Sequence, residues 1–149
     1  MFLDKQTFST VIDSTPLVSI DLVISNEHGQ YLLGERLNRP AKGFWFVPGG
    51  RILKNESLAS AFKRLTLEEL GCEYDISSST LQGTYDHFYE DYVFGEDVST
   101  HYVAISHKLT VCEADLNLPL IQHGGYRWFE VDQLLQDDNV HKHTKWYFE

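Results

Sequence analysis

From Leu17 onward the chain alternates, with Val18, Ile20, Leu22 and Ile24 on one side of an extended backbone and Ser19 and Asp21 on the other. This pattern predicts a half-buried strand. Asn26-Glu27-His28-Gly29 supplies turn residues, and Tyr31, Leu32 and Leu33 resume the apolar run toward Gly34-Glu35-Arg36, which predicts a β-hairpin. After a loop at Asn38-Arg39-Pro40-Ala41-Lys42-Gly43, the segment Phe44-Trp45-Phe46-Val47 is too aromatic and β-branched for a helix. It reads as a strand running into Pro48-Gly49-Gly50.

The period then changes. Leu58, Ala61, Phe62 and Leu65 follow the i, i+3, i+4, i+7 spacing of an amphipathic helix over about residues 57–70, with Asn55 as N-cap and Gly71 as the C-terminal stop. Further strands are expected near Leu81 to Tyr89 and through Val103, Ile105, Leu109 and Val111. Tyr102, Ala104 and Lys108 alternate with this second set, so Tyr102 is expected to face away from the apolar side. A Gly-containing loop, Gln122-His123-Gly124-Gly125, precedes a short strand, Tyr126-Arg127-Trp128-Phe129, and a helix from Val131 to Leu135. Strands interrupted by helices indicate an α/β or α+β domain, and 149 residues suit a single one spanning 1–149.

Composition narrows the partners. Twelve basic against twenty-two acidic residues give a formal charge of −10, which repels a long phosphate backbone. A small anion is still compatible, because a few arginines and a metal can make one cleft positive. The two cysteines, Cys72 and Cys112, form neither a disulfide framework nor a zinc motif, which fits a reduced, cytoplasmic protein. No 18-residue apolar stretch and no secretory leader pattern occur, so neither a membrane nor export is expected.

The chemistry concentrates after the glycine turn. Glu56 lies six residues beyond Gly50, Arg64 eight beyond Glu56, Glu68 and Glu69 four and five beyond Arg64, and Gly71 closes the series. On a helix Arg64 and Glu68 share a face, so Glu68 is explained equally by an ion pair or by a metal. Hard oxygen donors, a carboxylate with a backbone carbonyl near Gly49, suit magnesium bound together with diphosphate oxygens.

The run GRILKNESLASAFKRLTLEELGC resembles the Nudix box, G-x5-E-x7-R-E-U-x-E-E-x-G-U, with U a bulky aliphatic residue. The resemblance implies an α/β/α sandwich with a mixed β-sheet and divalent-cation-dependent hydrolysis of nucleoside diphosphate compounds. One departure stands out: Leu65 occupies the place of the usual glutamate after the arginine, and Thr66 that of the aliphatic residue.

With STPLVSIDLVI, LNRPAKGFWFVPGGR, THYVAIS and DNVH, the altered box resembles the GDP-mannose mannosyl hydrolase branch of that family. That branch implies hydrolysis of GDP-mannose and related GDP-hexoses at the sugar carbon with inversion. It further implies Arg36 and Arg51 at the phosphates, Tyr102 at the leaving group and His123 as general base, an imidazole being able to accept a proton from water at neutral pH. Gly49, Glu69 and Gln122 are implied as ligands of magnesium, or of manganese in its place. Asp21 is expected either to meet the sugar or to face solvent, and His87 either to lie near the substrate or to pack among aromatics. A homodimer is implied in which the N-terminal segment, with Phe2 and Phe8, packs on the other subunit, and Phe8 belongs to the substrate side of the site. Two other functions stay open at this point: a conventional Nudix pyrophosphohydrolase attacking phosphorus, and a GDP-sugar-binding module without catalysis.

Overall fold

Asn26 closes the first hairpin by accepting hydrogen bonds at its side-chain oxygen from the backbone of His28 (2.9 Å) and Gln30 (3.0 Å). In the computed structural model, which describes residues 2–119 and 123–149 (His123 and Gly124 by backbone alone), this turn joins β1 (Leu17–Ser25) to β2 (Tyr31–Arg36). β1 runs parallel to β6 (Thr100–Thr110) from Leu17↔Tyr102 to Ser25↔Thr110, and β6 pairs antiparallel with β5 (Thr80–Tyr89). β2 carries β3 (Trp45–Phe46) and β7 (His123–Phe129), and β4 (Gly49–Arg51) lies antiparallel on Ser19–Asp21 of β1. The result is a seven-stranded mixed sheet with the path β3-β2-β1-β6-β5.

Helices cover both faces, as an α/β/α sandwich requires. Helix α2 (Leu58–Leu70) packs Ala61, Phe62, Leu65 and Leu70 on Ile20, Leu22 and Ile24 of one face. On the other face α3 (Val131–Gln136), α4 (Lys142–Lys145) and the 3-10 turn Trp146–Phe148 follow one another, and Leu134, Val140 and Tyr147 pack on Val23, Leu33 and Phe129. Strand β1 is therefore buried on both sides, not on one, and Ser19 and Val23 are as enclosed as their apolar neighbours. Asp21 accordingly does not face solvent.

Other elements shift from the sequence expectation for local reasons. Ser57, not Asn55, caps α2 by accepting from Ser60 N at 3.1 Å, while Asn55 takes a left-handed conformation (φ 67°) in the preceding turn. Gly71 ends the helix at φ 71°, where an added Cβ would strike the Asn117 carbonyl. Only Trp45 and Phe46 of the expected 44–47 strand are paired. His123, Gly124 and Gly125 continue β7 instead of forming a loop. Helix α1 (Lys5–Ser14) was not expected; Asp4 caps it from Thr7 N at 2.8 Å, and Ile12 buries against Leu17 and Tyr92. No helix among the described residues is long and apolar enough to cross a membrane.

One guanidinium fixes the strand-loop-helix segment. Arg64 meets both oxygens of Glu56 (2.7 and 2.9 Å), donates to Glu68 at 3.1 Å and reaches the Arg51 carbonyl at 2.9 Å. The hydrogen bond and charge of Arg64, with a backbone bond from Leu53, hold the Glu56 carboxyl down at about 2.

A depressed carboxyl stabilises the fold above its unfolded pKa, and that contribution fades as pH falls toward the folded value. Glu56→Gln is thus expected to lower Tm by several degrees at pH 7. The gap from wild type should narrow as pH falls from 4.5 toward 2, and a gap independent of pH in parallel melts would contradict this account.

Candidate functional site

Residues of one parity on the central strands point into the same cavity. In the sheet register Asp21 lies opposite Ser106, Ser19 opposite Ala104, and Tyr102 opposite His87, so Asp21, Tyr102 and His87 share a face. Together with Arg36, Tyr89, Phe46 and Gly49-Gly50 they line a cavity of about 270 Å³. A second, larger cavity of about 710 Å³ is lined by Arg64, Leu65, Glu68 and Glu69 of α2 with Arg51, Phe8 and Tyr126. The two share Gly49 and Gly50.

That shared turn is shaped by close approach. A Cβ on Gly49 would lie 2.4 Å from the Ile20 carbonyl oxygen and 2.8 Å from Asp21 Oδ1, while one on Gly50 would meet a Leu65 methyl at 2.6 Å. Glycine here lets β4 press against β1 and α2. Leu65 is itself part of the core, so the position where the box usually carries a carboxylate is apolar wall.

At the floor of the smaller cavity Asp21 accepts a short hydrogen bond from the Tyr147 hydroxyl. Burial pushes its carboxyl up to about 6, opposed by the Tyr147 hydrogen bond and by the charge of Arg36. His87 packs behind it, stacked on His143 at 4.4 Å, with His141 beyond at 4.6 Å from His143. Burial lowers His87 and His141 to about 4 and His143 to about 3, reinforced in each case by neighbouring cations or imidazoles. These rings are neutral at pH 7, so the 4.0 Å approach of His87 to Asp21 is not an ion pair. Burial also pushes the Tyr89 and Tyr102 phenols up, against the pull of nearby Arg36.

Among the described residues neither Arg36 nor Arg51 is in a salt bridge with a carboxylate. Arg36 donates to the Asn38 carbonyl at 3.4 Å and lies over the Phe46 ring at 5.8 Å. Arg51 lies 5.0 Å over Phe8, which in turn meets Phe94 edge-on. Phe8 thus packs within its own chain at the larger cavity, whereas Phe2 is fully exposed at the same rim. Tyr102 faces away from the side of β6 that carries Leu109, as expected, but its own face is apolar too: it packs beside Ile12, Leu17 and Tyr92.

For a divalent cation the donors are oxygens. Glu69 is only 2% exposed and lines the larger cavity with Gly49, and its charge contributes to raising the Tyr126 phenol after burial. Glu68 is engaged by Arg64. Among the described residues no cluster of three His, Cys, Asp or Glu could hold an ion. One buried carboxylate and a strand carbonyl fit magnesium, which takes few protein ligands and completes its shell with water and substrate phosphate.

The structure thus gathers Asp21, Arg36, His87, Tyr102 and Gly49 at one cavity and Arg51, Phe8, Glu69 and Gly49 at the other. His123 pairs through its backbone with Arg36, and its side chain lies outside the described residues, as does all of Gln122. Sequence reasoning missed Arg39 and Tyr89, both lining the smaller cavity, and Tyr147, His141 and His143 behind it. Arg39 carried a signal, since it shares the loop after Arg36; it pairs with Asp91 (3.5 Å) and Glu96 (3.1 Å).

Comparison with known proteins gives a consistent picture. A model of the NUDIX domain matches residues 15–149. A curated relative, the low-salt glycan biosynthesis protein Agl8 of Haloferax volcanii, is 44% identical over 124 residues, 83% of this chain and 76% of its own length. The MutT Nudix hydrolase of Burkholderia pseudomallei superposes with a TM-score of 0.72 at 26% identity, covering 91% of this chain and 97% of that one. The Nudix domain of Shewanella oneidensis NrtR, solved with ADP ribose, shares the fold with a TM-score of 0.66 at 19% identity, over 97% and 95%.

The glycine turn gives a graded prediction. Gly49→Ala forces backbone apart and is expected to cost about 3 kcal/mol, whereas Gly50→Ala displaces only the end of Leu65 and costs about 1. Gly50→Ala combined with Leu65→Ala should recover part of the loss, and denaturant melts of the three variants read the order directly.

Proposed function

The chain belongs to the Nudix hydrolase family, and from that membership we propose that it hydrolyses GDP-hexoses, GDP-mannose foremost and GDP-glucose as a second substrate, by attack of water at the sugar carbon. The observation that carries this reading is the pairing of two features. Leu65 stands in the core where the box usually places a carboxylate, and a second cavity holds a largely enclosed aspartate with arginines in the same lining. The 44% identity to a protein named for glycan biosynthesis is in keeping with a sugar nucleotide.

In this reading the GDP moiety occupies the larger cavity and the hexose the smaller, with the diphosphate near the Gly49-Gly50 turn. Arg36 and Arg51 stand at the two cavities and stabilise negative charge that grows on the departing diphosphate more than they stabilise bound substrate. Glu69, the Gly49 carbonyl and Gln122 would hold a magnesium or manganese ion, which when bound supplies further charge neutralisation at the leaving phosphates. Asp21, ionised above about pH 6, accepts hydrogen bonds from hexose hydroxyls and faces the positive charge that spreads over C1 and the ring oxygen. Tyr102 lends a neutral hydroxyl to the leaving group, and His87 a neutral ring to the floor.

His123 takes the proton from water as a bond forms from water oxygen to C1 and the C1–O bond to GDP breaks on the opposite side. Its support is the sequence and the pairing of its backbone with Arg36, which sets that strand position beside the smaller cavity. The products are GDP and the inverted free hexose. The same reading carries a cytoplasmic homodimer, for which the exposed Phe2 at the cavity rim is a suitable contact.

With GDP-mannose and magnesium, GDP and free β-mannose are expected, with heavy oxygen from water entering the sugar alone. GMP with mannose 1-phosphate, or binding without turnover, would sink the proposal. His123→Gln should lower kcat by about 100-fold or more with modest change in KM, because a general base acts in the transition state. Steady-state kinetics on GDP-mannose provides the check.

A further inference from the structure

Tyr147 lies in the turn Trp146–Phe148, 126 residues from Asp21 in sequence, yet its hydroxyl donates to Asp21 Oδ2. The Tyr147 hydroxyl oxygen also stands 3.3 Å from His87 Nε2. A phenol has one proton, and with that proton committed to the carboxylate its oxygen can only accept from His87, which assigns the Nε2–H tautomer to this imidazole.

The tyrosine is also fixed at its other end. Its carbonyl accepts from Gln82 Nε2 at 2.7 Å, and Gln82 Oε1 in turn accepts from the buried Ser106 hydroxyl at 2.9 Å. Its ring meets Tyr85 edge-on at 4.8 Å, and the residue is 2% exposed. Tyr147 is thus tied to β5 and, through Gln82, to β6, while its hydroxyl reaches β1. Among the described residues no other side chain hydrogen-bonds to Asp21.

We propose that Tyr147 is the positioning residue of the site: its hydroxyl occupies Asp21 Oδ2 from behind, locks the carboxylate rotamer, and leaves Oδ1, beside Gly49, as the oxygen presented to the ligand. For its catalytic consequence this rests on the reading of Asp21 as the group that faces the hexose. Tyr147 touches no substrate atom and acts through Asp21 alone. An aspartate released from this bond would sample other rotamers, so the loss falls on the reacting complex and not on the binding of GDP.

Tyr147→Phe keeps the ring and removes the hydroxyl. It is expected to lower kcat on GDP-mannose about tenfold, the scale of one hydrogen bond to a charged group, while the Kd for GDP with magnesium stays within twofold. In an Asp21→Asn background the same change should add less than twofold. Crystals of Tyr147→Phe should show the Asp21 carboxylate turned or split between two rotamers. Gln82→Met, which frees the Tyr147 carbonyl and the Ser106 hydroxyl but leaves the Tyr147 hydroxyl in place, should reproduce the pattern more weakly and serves if the phenylalanine variant does not fold. A kcat within twofold of wild type, a loss equal in both backgrounds, or an unmoved Asp21 carboxylate overturns the proposal. Should the wild-type protein release no hexose from GDP-mannose, the functional reading fails, and the crystallographic comparison alone decides whether Tyr147 sets the carboxylate.

Discussion

The strand-loop-helix wall of the larger cavity is referenced to the guanidinium of Arg64. Its donors reach a carboxylate in the loop, another one turn along its own helix and the carbonyl of Arg51, so strand β4, the connecting loop and α2 share one set of coordinates. Glu69, one residue past the engaged Glu68, thereby sits at a fixed depth opposite the glycine turn. A lysine could not span these three directions, since its single ammonium lacks the planar fork. The clamp is partly buried, so solvent and salt weaken it less than they would a surface pair.

The smaller cavity rests on a different balance. In a chain of net charge −10 its mouth carries Arg36 and Arg39 while its floor carries a buried carboxylate and neutral imidazoles. Desolvation acts in opposite directions on the two kinds of group, raising Asp21 and lowering the histidines, and both moves bring the floor closer to neutrality. The stacked histidines keep close packing only while uncharged. A floor of this kind tolerates one anion because a phenol and a nearby arginine share its field.

Much of this was legible in the chain. The period-3.6 run ending at Gly71 gave α2 to within a residue, and the resemblance of the spaced Gly, Glu, Arg and Glu residues to the Nudix box implied the strand-loop-helix element. What misled was the alternation in β1: a polar residue at every second place looks solvent-facing, although a second layer of helix, built from residues after 130, covers it. Local pattern cannot report on a partner more than 100 residues away. For the same reason Arg36, Asp21 and His87 could be named but not joined, and Tyr147 could not be named at all, since its role exists only through long-range contact. The cap at Ser57 was missed on chemistry closer to hand, because Asn55 and Ser57 are both good caps and the left-handed turn at Asn55 decides between them.

Among the described residues the two cavities share only Gly49 and Gly50. One is walled largely by α2 and the other by sheet residues and the loops beyond β2 and β5, so few side chains serve both. On the proposed reading such a molecule can be inherited in halves: drift on the sheet side would retune which small group is accepted while the clamp, the glycine turn and the buried glutamate are left untouched. A single scaffold could in this way give rise to a lineage of enzymes differing in taste but alike in grip, and the glycine pair is the seam along which they would diverge.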